Sequence, residues 1–135
     1  MIKKTWAPRP PKKIKHKVPE EIKIRVQEKA NHLIQFTLKP AHTKPPPKNV
    51  SINYIVDIFS KWYQSYFYFC ATYRCPFPNR ISEFFETRFA RMEYAGDERF
   101  NLSYMRHTGQ WIELYADLSL EECLESIRNE PHYLP

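Results

Sequence analysis

An α+β fold, an antiparallel sheet of about five strands packed with an N-terminal and a C-terminal helix, is predicted by three observations. Aromatic and β-branched residues alternate with polar ones through the middle of the chain, Gly96 and Gly109 each fall between strand-like segments, and apolar residues recur at helical spacing near both ends. At 135 residues the chain has the length of one domain, and its 42% hydrophobic, 16% aromatic composition supplies enough apolar surface to offset chain entropy. The expected division is a basic, proline-rich tail over residues 1–19 and a single α+β domain over residues 20–135.

In the tail, Pro8, Pro10, Pro11 and Pro19 forbid a continuous helix or a central strand, because proline lacks the amide donor and fixes φ. From Pro19 the pattern changes. Glu20 and Glu21 suit the positive end of a helix, and Ile22, Val26, Ala30, Leu33 and Ile34 form its apolar stripe, which predicts a helix over 20–38. Pro40 is expected to end it, with Pro45, Pro46 and Pro47 making a stiff connection onward.

A strand pair should follow. Ile52, Tyr54, Val56 and Ile58 alternate, residues 60–64 offer a turn, and 65–75 is dense in Tyr, Phe and Thr. The run 63–73 is apolar or aromatic at nearly every position, which predicts helices on both sides of it in preference to an exposed aromatic face. Pro76, Pro78 and Asn79 break the run, and 81–85 reads equally as a short helix or an anchored loop. A three-stranded meander over 87–94, 100–106 and 110–115 turns at the two glycines, which take positive φ without steric cost. In its middle strand Phe100, Leu102 and Tyr104 should be buried, and Asn101, Ser103 and Met105 largely solvated.

The final helix has the clearest local chemistry. Ser119 and Glu122 form a capping box, Leu118 is placed to staple against Cys123, and Leu120, Cys123, Leu124 and Ile127 form the apolar stripe before Pro131 stops it.

Ala90-Arg91 with Tyr94, then Phe100, Leu102, Tyr104 and Arg106 at alternate positions, Trp111, Tyr115 and the Ser119-Leu120-Glu121-Glu122 run carry a resemblance. The chain resembles a family of small bacterial proteins catalogued only as a domain of unknown function. The resemblance implies the order helix, strand pair, aromatic strands and final helix over roughly residues 19 to 131, and it brings no activity. Two departures are a residue inserted at Arg74-Cys75-Pro76 and a gap from Trp111 to Tyr115 one residue longer; either shifts register.

Charge is distributed unevenly. Residues 1–48 hold 13 lysines and arginines against three glutamates, a balance of +10, while the remainder holds 8 against 12, a balance of −4. Lys3, Lys4, Arg9, Lys12, Lys13, Lys15 and Lys17 stand in the tail without an acid among them, which is the pattern of a basic arm. Such an arm binds polyanions by counterion release, and Trp6 is available to stack on a base. Lys23, Arg25 and Lys29 extend the cationic side onto the first helix. The expected function is that of a non-enzymatic accessory protein whose arm contacts nucleic acid without sequence specificity. The alternative is a protein-interaction or self-association module using an aromatic strand face or the acidic C-terminal body. Pro8-Arg9-Pro10-Pro11-Lys12-Lys13 also has the spacing of a polyproline peptide ligand.

Catalytic and metal chemistry is weakly signalled. His16, His32, His42, His107 and His132 share no ligand spacing with Cys70, Cys75 and Cys123, so no metal or other cofactor is expected. Asp57 with Glu86 and Arg88 has the residue types of a metal-dependent nuclease, Cys123 with His107 those of a nucleophile and base, and Asp57, Arg106 and His107 those of an undescribed site. Each is more simply a charged surface or a packed thiol. Arg106 and Trp111 flank the Gly109 turn, where a cation–π or stacking contact between them is expected to hold the turn. An odd cysteine count without a bridging pair, and the lack of a signal-like or membrane-spanning stretch, place the chain in the cytoplasm with reduced thiols and no membrane partner.

Overall fold

A computed structural model describes residues 16–43 and 52–135. Five strands, β1 (Tyr54–Tyr63), β2 (Tyr66–Arg74), β3 (Phe84–Gly96), β4 (Arg99–Met105) and β5 (Trp111–Leu118), form one antiparallel sheet in the order β1-β2-β3-β4-β5. The helix α1 (Glu20–Leu33) precedes the sheet and α3 (Leu120–Asn129) follows it. The α+β architecture expected from the sequence is the one observed.

Both helices cover the same face. Ile22, Val26, Ala30 and Leu33 of α1 and Leu120, Cys123 and Ile127 of α3 share one core with Ile58, Phe67, Phe69, Ala71, Met92, Phe100 and Leu102 from the strands. The expectation that β2 is covered by helices on both sides is therefore corrected: both long helices lie on one face, and among the described residues the other face is covered only by its own side chains. In β4 the buried set of Phe100 and Leu102 is as expected, but Ser103 on the opposite face is 2% exposed, not solvated.

Several boundaries differ for identifiable reasons. Helical structure continues past Leu33 through a wide π turn (Ile34–Leu38) into α2 (Lys39–His42), so Pro40 does not end it. Proline lies in the first turn of α2, where its missing amide costs least. Residues 60–63, expected as a turn, belong to β1, and the reversal is confined to Gln64 and Ser65, with Gln64 at φ 55°. A bulge between Ile55 and Asp57 breaks the expected alternation, packing Ile55 against the core and leaving Val56 exposed. Phe84 and Phe85, left open between helix and loop, begin β3, which pairs with β2 along its length and makes the strand pair and the meander continuous.

At the first meander turn Asp97 and Glu98 have φ of 50° and 57°, the signature of a type I′ hairpin, and Gly96 at φ 89° closes β3. The second turn holds Gly109 at φ 86°, and its amide donates to the Arg106 carbonyl at 2.8 Å. At α3 the capping box is complete: the Glu122 amide donates to Ser119 Oγ at 3.1 Å, and the Ser119 amide donates to Glu122 Oε1 at 2.8 Å. The bond from the Ser119 amide, with the Ser119 side chain adding to it, holds the Glu122 carboxyl below its ordinary value. Packing begins before Glu20, since Val18 is 5% exposed within the core and the His16 ring lies against the backbone of Gly96. The proline run at 45–47 lies outside the described residues.

Candidate nucleic-acid interface

Alternation along the strands brings a second set of side chains to the face without helices. Phe59, Lys61 and Tyr63 come from β1, Tyr66, Tyr68 and Cys70 from β2, Arg88 and Arg91 from β3, Ser103 from β4 and Trp111 from β5. The two arginines stand three residues apart, yet share a face, because a bulge opposite Phe69 and Cys70 adds a residue between them.

Rings and guanidinium groups interleave there. The Arg88 guanidinium carbon lies 4.5 Å from the centre of the Tyr68 ring. That of Arg91 lies 4.8 Å from Tyr66 and 4.9 Å from Trp111, so one cation is held by two rings. Trp111 approaches Tyr68 at 5.9 Å although two strands separate them; the small side chain of Ser103, beside Arg91 in the register, leaves the indole room to lean over β4. Lys61 sits 5.7 Å from Phe59. These contacts bury Tyr68 to 6% exposure while Tyr63 at the end of the row remains 60% exposed.

Charge pairing separates these arginines from most other cations of the body. Arg25 pairs with Glu98, Lys29 with Glu121, Lys39 with Asp57, Lys61 with Glu86, Arg74 and Arg80 with Glu83, Arg99 with Glu122 and Arg128 with Glu125. Among the described residues Lys17, Lys23, Arg88, Arg91 and Arg106 have no carboxylate partner. The Nε of Arg91 is also buried without a hydrogen-bond partner among them.

Of the arm residues expected to contact nucleic acid, Lys3, Lys4, Trp6, Arg9, Lys12, Lys13 and Lys15 lie outside the described residues. Lys17 is exposed just before the buried Val18, and Lys23 is half-buried, its carbonyl accepting from Trp62 Nε1 at 3.2 Å. Arg25 and Lys29 are engaged with acids of the β3–β4 turn and α3, so the first helix offers less free positive charge than its composition implies.

The enzymatic constellations are not assembled. Asp57 on β1 is three strands away from β4, after which Arg106 and His107 follow, a separation of about 14 Å at ordinary strand spacing. Asp57 and Glu86 flank Thr72 across two strand spacings, about 10 Å, and each is bound to its own lysine. Cys123 is fully buried, and burial pushes its thiol up to about 12, with the Glu122 charge adding to the shift. Trp111 stacks with Arg91, not with the expected Arg106. No group of three or more His, Cys, Asp or Glu among the described residues is arranged to hold a metal ion, and no helix among them is long and apolar enough to cross a membrane.

Arg91, Tyr66 and Tyr68 are not singled out as site residues by the sequence, and Arg88 is marked there only beside Asp57 and Glu86 as a nuclease-like set. The tyrosines do alternate, but the bulge shifts the arginines out of strict period two and hides their common face. The family model described as Domain of unknown function (DUF3024) matches residues 9–134, in keeping with the resemblance read from the aromatic strands and the capping box. No curated protein and no solved structure matches the chain.

Proposed function

The chain belongs to the DUF3024 family, and from that premise we propose that it is a non-enzymatic, cytoplasmic accessory protein that binds nucleic acid without sequence specificity through its basic N-terminal arm. The observation that carries this reading is the charge split: +10 over residues 1–48 against −4 over the rest. The ion pairs within the body sharpen it. They engage most of the described cations there, while the arm holds seven lysines and arginines without an acid in its own sequence, the last of them the exposed Lys17.

The test is binding of the full chain, and of a variant with Lys3, Lys4, Lys12, Lys13, Lys15 and Lys17 changed to Gln, to generic DNA and RNA at low and moderate salt. Removing the tail outright would disturb Val18 and His16, so neutralising charge is the cleaner change. The parent should bind with an affinity falling steeply as salt rises, and the variant should lose both most of the affinity and most of the slope. Salt-independent binding, or an unaffected variant, sinks the reading.

A second reading, a protein-interaction or self-association module, is favoured by one specific feature. At the β2–β3 end of the sheet Phe77, Ile81, Phe84 and Phe85 are all exposed, with Phe85 stacked on Tyr73 at 5.3 Å. Concentration-dependent mass that disappears on Ile81→Ser with Phe84→Ser would support this second reading.

A further inference from the structure

We propose that the helix-free face of the sheet is a stacking platform for single-stranded nucleic acid, centred on Arg88 and Arg91 with Tyr63, Tyr66, Tyr68 and Trp111. This deepens the nucleic-acid reading and rests on it.

A guanidinium lying on a ring turns one planar face to that ring and keeps a second face and its N–H groups for a ligand. Arg88 is so placed on Tyr68, while Arg91 holds Tyr66 and Trp111 together beside it, and neither arginine has a carboxylate partner among the described residues to compete with an incoming anion. Tyr63, paired across the strands with Tyr66, adds an exposed ring at the edge of the patch. An unstacked base offers a π face and polar edges, and this is the chemistry that rings and stacked arginines on an open sheet recognise. A duplex keeps its base faces inside its own stack, so the platform has little to hold in one.

The acids of the same face set the character of the binding. Asp57, Glu86, Glu93 and Glu113 lie on it, the first two engaged by Lys39 at 3.1 Å and Lys61 at 3.7 Å. With its charges nearly balanced, the platform gains from stacking and from two local phosphate contacts, not from a broad positive field. Its contribution falls little with salt, whereas that of the arm falls steeply. The two parts of the molecule are thereby separable in one titration.

The experiment follows a labelled 12-nucleotide oligothymidylate and its duplex with oligoadenylate, bound by the full chain at low and moderate salt. Parent protein is compared with Arg88→Gln, Tyr63→Ala and the six-lysine arm variant. Arg88 and Tyr63 are exposed, and their variants should melt close to the parent. The expected result is a preference for the single strand that persists at moderate salt. In Arg88→Gln and Tyr63→Ala single-strand affinity should weaken by about tenfold, with duplex binding unchanged. Equal binding of both substrates, or parent-like affinity in both platform variants, overturns the platform; if affinity still falls steeply with salt and with loss of the lysines, the arm reading stands alone. Absence of binding at low salt removes both. Competition by polyglutamate as effective as by the oligonucleotide would identify a simple anion site and also overturn the platform.

Discussion

Strand β2 buries rings in two ways within three residues. Phe67 and Phe69 lie under the helices with no exposure, and Tyr68 between them is 6% exposed with no helix above it among the described residues. On the helix side α1 and α3 supply aliphatic groups and a thiol beside the rings of Trp62 and Phe89, and contact is bounded by the rigid backbones of the two helices. On the other side the cover is a guanidinium and an indole reaching in from neighbouring strands. Static burial therefore does not tell the faces apart; what the covering atoms can do if displaced does. Leu120 cannot leave without undocking a helix, while Arg88 leaves by rotating about its own side-chain bonds.

The sharpest way to break this comparison is to remove one ring from each side. Phe69→Ala should cost about 3–5 kcal/mol in chemical denaturation, through lost transfer energy and the cavity left beneath the helices. Trp111→Ala should cost less, about 1–2 kcal/mol, since the indole is half-buried and loses one cation–π contact and one ring contact. Equal costs would mean that the open face is as much a core as the covered one.

Two thiols extend the contrast to smaller effects. Cys70 lies on the open face and Cys123 on the buried side of α3, and burial raises both thiols, Cys123 to about 12. Because the folded state favours the protonated form, the stability tied to Cys123 is complete below the unfolded thiol value of about 8.5 and is lost as pH rises towards its folded value. Replacing Cys123 with Ala should therefore flatten the alkaline limb of the stability profile. At neutral pH a thiol reagent should modify Cys70 faster than Cys123, since only side-chain motion is needed to reach it; the reverse order would argue that α3 is the looser cover.

How much was legible follows from which signals are local. The capping box of Ser119 and Glu122, the glycines of the two meander turns and the apolar stripe of α1 each sit within a few residues, and all appear in the structure where the sequence put them. Extra residues defeated the rest. The bulge at Ile55/Asp57 inverted the expected facing of Val56, and the bulge opposite Phe69/Cys70 concealed that Arg88 and Arg91 share a side. Nor does composition reveal that both helices lie on one face, because that depends on connections and not on any single segment's pattern. The candidate site was half readable for the same reason: charge clustering in the arm is linear in sequence, whereas the aromatic platform exists only once β2, β3 and β5 are side by side.

The consecutive strand order also bears on synthesis. Each of β2 to β5 pairs with the strand made just before it, so every hairpin can close as soon as its second half leaves the ribosome, without waiting for distant chain. The exception is α1, made before any strand it packs on. Its stripe of Ile22, Val26, Ala30 and Leu33 stays uncovered until β1, the strand it touches, is produced, and its contact with α3 closes last of all, which makes this first helix a segment of the nascent chain in need of protection.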